Sequence, residues 1–327
     1  MVLSRDPEGF TFFVFVRVHL WLPMHLQGVL MIKRFAISVL LLAGVCSPAR
    51  GWLLEGHHIL TLSAVAALPD EVPAFFRQGA KTVAHLSIDP DMGKNRGTPQ
   101  VRGAEYPEHF LDREMLDVEA LPESRYAFVK LCYEHGVSPE KMGFVPYAVN
   151  EWTERLAVAF AEFRKWPDNP HIQSKCLIYA GFLAHYAEDM CQPLHLTIHY
   201  DGRVQEGGEK LQRGIHLKVD GLVQFLKMEP GDLSRDQDVT PFENTMSEIM
   251  REFEEGFALV DRVYEMGPNI PRYDEENWVP NAEVIAFAKD RARAATRFTA
   301  RLYLTAWRLS ERLEIADYVK REVWDGE

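Results

Sequence analysis

Histidine and aspartate side chains recur at helical spacing in two segments of the sequence. In GFLAHYAEDMCQPLH, His185 and Asp189 would share one face of a helix, which a proline would end just before His195. In GIHLKVDG, the same spacing relates His216 to Asp220. Zinc accepts imidazole and carboxylate ligands together, so both segments could bind metal. One such pair alone would be weak evidence, since solvated pairs of this kind are common on helix surfaces.

Two further histidines strengthen the metal interpretation. His57 lies in WLLEGH at the start of the first predicted helix, and His109 lies in YPEHFLDRE. If folding buries these imidazoles and carboxylates, each of them needs a partner. Metal ions would provide partners for all of them, so the sequence favours a metal site assembled from several segments.

The segments around these residues are predicted to be largely helical. Apolar residues recur at helical spacing from Ile59 to Leu68, just before Pro69. Further helical patterns cover residues 147–166, 172–189, 217–227, 240–264 and 281–313. Residues 89–105 and 201–214 are rich in Gly, Pro and Asp and are predicted to be loops. Because period-two runs of Val, Ile and Thr are scarce, we expect an all-α fold, with one multi-helical domain whose helix ends and long loops form the site.

The composition is that of a globular protein with an acidic balance. The 327 residues are 47% hydrophobic, which is enough for a sizeable core, and they carry a net charge of -12. This charge argues against an electrostatic grip on long duplex nucleic acid. Binding of a polyanion would need a local positive source, such as metal ions. No feature of the sequence indicates a stable protein partner.

The first 51 residues have the layout of an N-terminal extension followed by a secretory signal peptide. Lys33 and Arg34 precede an apolar run, residues 35–45, and small residues extend to Gly51. The run is too short to be a permanent membrane helix. We therefore expect cleavage after Gly51, which leaves residues 52–327 as an exported domain, periplasmic or secreted.

Two alternatives are open at this end of the chain. Translation could begin at Met1 or at Met31, and Met31 is favoured because charged residues and a proline interrupt the apolar stretch before it. Cys46 in LAGVC could instead accept a lipid, although Val45 is bulkier than such signals usually have before the cysteine.

Taken together, these residues resemble the superfamily of zinc-dependent phospholipases C and single-strand-specific nucleases, whose members carry three zinc ions in an all-helical fold. The mature chains of that family begin with a tryptophan whose amino group and carbonyl bind metal, and the predicted cleavage leaves Trp52 first. In the nuclease branch a histidine follows five residues later, as His57 does here. The branch also has a histidine, an aspartate at plus four and a histidine at plus ten, which match His185, Asp189 and His195.

The resemblance implies a ligand set for each of three zinc ions. The first zinc would be bound by Asp91, His109, His185 and Asp189. The second would be bound by Trp52, His57 and the same Asp189. The third would be bound by His195, His216 and Asp220. Asp89 in SIDPDMGKN could replace Asp91, but the family position favours Asp91.

The same resemblance implies hydrolysis of phosphodiesters by a water that zinc activates, with Asp91 and Lys94 as catalytic residues. Lys94 stands where the nucleases carry an arginine near the phosphate, and it offers a point charge rather than a bidentate fork. Phe110 could stack on a base and Asp112 could accept hydrogen bonds from it, so both are candidate substrate-binding residues.

Three functions compete at this stage. An exported nuclease acting on single-stranded nucleic acid is favoured by the interval from Trp52 to His57 and by Asp220, although the usual GGN of the nucleases is GGE here, with Glu209. A phospholipase C acting on phospholipid head groups is the main alternative, but no amphipathic membrane-docking stretch stands out. A zinc-stabilised binding protein without turnover is the third, and it would need closed four-ligand sites.

Overall fold

Helices form nearly all of the regular structure in the computed structural model, which describes residues 52–205, 207 and 209–321. The all-α fold is therefore confirmed. Contacts group the described residues in one compact unit. The predicted signal peptide and its cleavage site after Gly51 lie outside the described residues, so cleavage stays a prediction.

The α-helices of the described residues are numbered in chain order. In the first half they are α1 (Leu54–Ala66), α2 (Ala74–Gln78), α3 (Ala80–Leu86), α4 (Asp89–Gly93), α5 (Pro99–Glu105), α6 (Arg125–Glu134), α7 (Pro139–Met142), α8 (Val145–Lys165) and α9 (Pro170–Met190). In the second half they are α10 (Ile215–Asp220), α11 (Leu222–Phe225), α12 (Pro230–Ser234), α13 (Thr245–Phe257), α14 (Val260–Met266) and α15 (Ala282–Leu309). Short 3-10 turns at Tyr106–His109 and Pro193–His195 also matter for the site.

Helix α9 lies at the centre of the fold and contacts α1, α3, α8 and α15. The Asn169 side chain accepts hydrogen bonds from two backbone N–H groups of the first turn, and Pro170 occupies that turn without losing a helical hydrogen bond. Gly181 allows α3 to approach closely, because a Cβ there would lie 2.6 Å from the Cβ of Leu86. This approach fixes the half of α9 that carries His185 against the end of α3.

An aromatic cluster holds the long helices together behind the site. The Phe76 ring lies 5.3 Å from the rings of both Phe160 and Tyr303, and all three side chains are fully buried. The Tyr303 hydroxyl donates to the carbonyl of Ala180 in α9 at 2.9 Å, so its polar atom is satisfied. Burial of such a side chain contributes about 1.5–3 kcal/mol, which favours a rigid frame for α9.

Several predicted elements differ from the observed ones in their boundaries. The pattern over residues 217–227 belongs to α10 and α11, which meet at Gly221, and the pattern over residues 240–264 belongs to α13 and α14. Residues 89–105, predicted to be a loop, include α4 and α5. Both helices have a proline in their first turn, where it is tolerated, but they are too short to show a hydrophobic period.

The other predicted loop contains a small β-ribbon. Strand β1 (Arg203–Val204) pairs antiparallel with β2 (Lys210–Leu211), with Arg203 opposite Leu211.

Within the described ranges, no helix has both the length and the apolar character needed to cross a membrane.

Candidate metal centre

Six elements bring histidine and aspartate side chains to one buried region. His57 comes from α1, Asp91 from α4 and His109 from the end of a 3-10 turn. His185 and Asp189 come from the last turns of α9, His195 from the turn that follows it, and His216 and Asp220 from α10. Among the described residues these side chains form three groups that could hold a metal ion. The groups are His57 with His185 and Asp189, Asp91 with His109 and His185, and His195 with His216 and Asp220.

Asp189 lies where these groups meet, and it is fully buried. Its Oδ1 lies 3.4 Å from Nε2 of His57. Its Oδ2 lies 3.0 Å from Nδ1 of His109 and 3.3 Å from Nε2 of His185. The two carboxylate oxygens therefore face different histidines, which is the arrangement that a bridging ligand requires.

Asp91, rather than Asp89, lies beside these histidines. Its Oδ1 lies 3.7 Å from Nε2 of His185 and 3.9 Å from Nδ1 of His109. The same oxygen forms an ion pair with Lys94, one turn further along the chain, and both side chains are nearly buried. Asp89 belongs to none of the three groups. The geometry thus favours Asp91 over Asp89 for this position.

The third group is held together by a short helix and a polar neighbour. Helix α10 places Nε2 of His216 3.1 Å from Oδ2 of Asp220, and the His195 and His216 rings lie 4.9 Å apart. Gln192 donates from its amide to the other oxygen of Asp220 at 2.6 Å. The amide oxygen of Gln192 accepts from the backbone N–H of Leu194 at 2.6 Å. Gln192 therefore fixes which oxygen of Asp220 faces the two imidazoles.

Four of the five histidines use Nδ1 for a contact outside the groups. Nδ1 of His57 donates to the Glu188 carboxylate, and Nδ1 of His185 donates to the carbonyl of Ser87. Nδ1 of His195 donates to the carbonyl of His109, and Nδ1 of His216 donates to the carbonyl of Tyr200. These distances run from 2.7 to 3.3 Å. A histidine whose Nδ1 is held in this way presents Nε2 as a lone-pair donor, which is the usual orientation of a metal-binding histidine. His109 is the exception, because its Nδ1 faces the groups.

Several atoms that face the groups have no hydrogen-bond partner although they are buried. In the part of the chain that the structure describes, they include Nε2 of His57, His195 and His216, Oδ1 of Asp189 and Oδ2 of Asp220. Buried polar atoms without partners cost free energy, so they are rare in folded proteins. Metal ions would satisfy these atoms, and the donor set of imidazole and carboxylate is one that zinc accepts. The residues present therefore fit zinc.

Burial and neighbouring charges shift the pKa values of Asp91 and His109. Burial alone would raise the pKa of Asp91, but the positive charges of His185 and Lys94 lower it to about 2. Burial and the charge of Lys94 lower the pKa of His109 to about 3, so this imidazole is neutral near pH 7. Ionised aspartate and neutral imidazole are the forms that bind a cation.

Trp52 is buried against this region at the start of the described chain. Its indole N–H donates to the carbonyl of Glu188 in α9 at 3.0 Å. The next residue, Leu53, donates its backbone N–H to the carbonyl of Asp220 at 3.2 Å. Trp52 therefore lies between the helices that carry Asp189 and Asp220.

A cavity of about 300 Å³ opens beside the groups. His109, His195 and His216 line it, together with the predicted substrate-binding and catalytic residues Phe110, Asp112 and Lys94. Tyr106 and Tyr200 add aromatic surface to its wall. The volume is at the lower end of the range for small-molecule sites, so the cavity can hold a group of about the size of one nucleotide or one head group.

Backbone geometry places Phe110 and Asp112 at this cavity. Gly143 has a φ of +94°, and a Cβ there would overlap the carbonyl of Phe110, so only glycine fits. The backbone N–H of Asp112 donates to the carbonyl of Met142 at 2.7 Å. Burial, together with the negative charge of Glu114, raises the pKa of Asp112 to about 7. The cavity therefore contains a carboxyl that can be neutral or charged near physiological pH.

The sequence analysis missed the residues that support the histidines. Glu188 and Gln192 are both fully buried, and each contacts a predicted ligand. One signal was available: Glu188 lies three residues after His185 and so on the same helical face. The carbonyl partners, such as that of Ser87, leave no signal in the sequence because every residue has one.

No protein-family model and no curated protein sequence matches the chain. Among solved structures, the alpha-toxin of Clostridium perfringens from an avian strain is similar over 82% of this chain and 66% of its own, with 14% identity and a TM-score of 0.43. The alpha-toxin of Clostridium absonum is similar over 83% of this chain and 67% of its own, with 13% identity and a TM-score of 0.44. The match thus spans about two thirds of each toxin. Because the sequence identities and the TM-scores are this low, a function for this chain has to be argued from its own side chains.

Proposed function

We propose that the chain is a zinc-dependent phosphoesterase that hydrolyses phosphodiester bonds. The observation that carries this proposal is the meeting of three histidine and aspartate groups around Asp189, beside an open cavity. The ligand set is the one expected from the sequence, with three zinc ions shared among Trp52, His57, Asp91, His109, His185, Asp189, His195, His216 and Asp220. Metal ions that served only to stabilise the packing of helices would not need an open cavity beside their ligands.

The chain's own residues would bind and orient the substrate. When bound, zinc ions in such a site lower the pKa of water and stabilise negative charge on phosphate oxygens. Lys94 lines the cavity with its ammonium group next to Asp91, so it can attract a phosphate to the side of the cavity that holds the groups. Neighbouring charges keep the pKa values of Asp91 and Asp189 low, so these two carboxylates stay ionised, which allows the site to retain cations while the cavity accepts an anion.

For the substrate, we propose single-stranded nucleic acid. Phe110 is half-buried at the cavity wall and meets the Tyr106 ring edge-on, with ring centroids 5.6 Å apart. An aromatic face at this place can stack on a base, and a carboxyl two residues later can hydrogen-bond to the edge of that base. Phospholipase C activity on phospholipid head groups is the alternative outcome of the test.

The test compares four substrates with the zinc-loaded protein. They are a single-stranded oligonucleotide, the same strand without bases, the matched duplex, and phosphatidylcholine vesicles. We expect the single strand with bases to be hydrolysed best. Phe110→Ala should raise its KM by about 5- to 150-fold, the equivalent of one lost stacking contact. The variant should leave the KM of the abasic strand unchanged, and Tyr126→Ala, at an exposed tyrosine that does not line the cavity, is the matched control.

Each other result would point elsewhere. Hydrolysis of phosphatidylcholine alone would replace the nuclease by a phospholipase C and leave the phosphoesterase proposal intact. A zinc-loaded protein that turns over none of these substrates, nor bis-para-nitrophenyl phosphate, would contradict the phosphoesterase proposal and favour the binding protein.

The proposal includes export of the chain. Signal peptide cleavage after Gly51 would give Trp52 a free amino group, which the resemblance requires for the second zinc. N-terminal sequencing of the protein from the medium or periplasm tests this step, and a retained lipid on Cys46 would contradict it.

A further inference from the structure

Glu188 joins the N-terminal segment to the helix that carries Asp189. Its carboxylate accepts a hydrogen bond from Nδ1 of His57 at 2.8 Å through one oxygen and from the hydroxyl of Thr61 at 2.8 Å through the other. Its backbone carbonyl accepts the indole N–H of Trp52 at 3.0 Å. All four side chains are buried. One residue of α9 therefore contacts three residues of the segment that begins the described chain.

The direction of the His57 ring depends on this carboxylate. An imidazole has two ring nitrogens, and when the His57 ring is neutral the bond to Glu188 places its proton on Nδ1. Nε2 of His57 is then left as a lone-pair donor on the side of Asp189, 3.4 Å from its Oδ1. His57 and Thr61 are one turn apart on α1, so both lie on the helix face that meets Glu188.

The charge of Glu188 also bears on the site. A carboxylate that is fully buried next to Asp189 would be unfavourable in a metal-free core unless cations offset it. Neutral imidazoles do not reduce the charge of a bound zinc ion, so nearby carboxylates stabilise the ion electrostatically. Among the described residues, Glu188 and Asp189 are the carboxylates that pair with the His57 ring, at 2.8 and 3.4 Å.

We propose that Glu188 is a positioning residue for the metal ion that His57 and Asp189 would share, an inference that rests on the proposed function. Glu188 fixes the tautomer and the orientation of His57 and adds negative charge behind it. It does not touch the ion or the substrate. Removal of such a carboxylate behind a metal-binding histidine weakens metal affinity by about 10- to 100-fold.

The test separates the charge of Glu188 from its hydrogen bonds. In Glu188→Gln the amide oxygen can still accept from His57 and the amide nitrogen can donate to Thr61, so the contacts persist while the charge is lost. Glu188→Ala removes both. Thr61→Val removes one bond and keeps the carboxylate on His57. Glu162→Gln, in α8, is the matched control, because Glu162 is also a buried carboxylate but pairs with Lys175 outside the site.

Zinc is counted in each protein by elemental analysis, and the affinity of its weakest-bound zinc is measured by competition with a chromogenic chelator. We expect Glu188→Gln to weaken that zinc by about 10-fold and Glu188→Ala by about 100-fold, or to lose one ion. Thr61→Val and Glu162→Gln should stay within about 3-fold of the unmodified protein, below the range for a lost supporting carboxylate. Cobalt substitution gives a second readout, since a reoriented His57 changes the visible spectrum of cobalt at that position.

Zinc binding by the Glu188 variants that equals that of the unmodified protein would overturn this inference and leave the proposed function standing. Equal weakening in Thr61→Val would also overturn it, because the effect would then come from packing of α1. An unmodified protein that binds no zinc would refute the proposed function itself.

Discussion

Replacement of Asp189 by asparagine removes one negative charge from the centre of the site and changes almost no volume. The carboxylate faces His57 with Oδ1 and both His109 and His185 with Oδ2. An asparagine has only one oxygen, and its NH₂ group cannot bind a cation, so at most one of the two sides keeps a ligand. The variant should therefore hold fewer zinc ions than the unmodified protein.

The size of the effect follows from the number of contacts that Asp189 makes. Loss of a residue that merely supports a metal ligand costs about 10- to 100-fold in affinity or activity. Asp189 would contact two ions directly, so Asp189→Asn should lower kcat/KM for a phosphodiester by at least about 100-fold, or about 2.7 kcal/mol. Kinetics at saturating zinc, together with a zinc count, measure both consequences.

Asp261→Asn is the control for this experiment, because Asp261 is an exposed carboxylate on α14 that pairs with Arg203. It should leave zinc content and kcat/KM unchanged. If Asp189→Asn kept the full zinc content and activity within about 3-fold of the unmodified protein, Asp189 would not be a shared ligand, since even a supporting residue costs more.

Three more outcomes are expected. Removal of zinc with a chelator should lower the melting temperature measured by calorimetry. If free zinc was at 1,000 times the Kd of a site, loss of the ion from that site removes about 4 kcal/mol of stability, or about 8–16 °C. Asp112→Asn should reduce the dependence of the free energy of unfolding on pH in the metal-free protein. Burial raises the pKa of Asp112 in the folded state to about 7, so the stabilisation from its protonated form is complete below about pH 4 and is lost as the pH rises through 7. Thermal melts of both proteins from pH 4 to 8 measure the difference. Gln192→Leu should weaken the zinc at His216 and Asp220 by about 10- to 100-fold in chelator competition, and unchanged affinity would mean that Gln192 does not hold Asp220 in place.

Two histidine–aspartate pairs of the site could be located from the sequence because helix geometry is local. The four-residue spacing of His185 to Asp189, and of His216 to Asp220, places each pair on one face wherever the helix lies in the fold. The proline after α9 likewise explains why His195 follows at the end of the helix. These pairs meet in the structure as the spacing predicts.

The supporting contacts could not be predicted, because they join residues that are far apart in the chain. His57 and Glu188 are 131 residues apart, and Gln192 and Asp220 are 28 apart, so only the packed helices bring them together. The short helices α4 and α5 were also missed, since an element of five to seven residues relies on tertiary contacts rather than on its own periodicity.

The most direct test of the trinuclear zinc site is mass spectrometry of the exported protein combined with its zinc content. The proposal predicts a chain that begins at Trp52 and holds about three zinc ions. A chain that retains residues before Trp52 would lack the amino group that the second zinc needs. Such a chain, with one zinc or none, would contradict the trinuclear site.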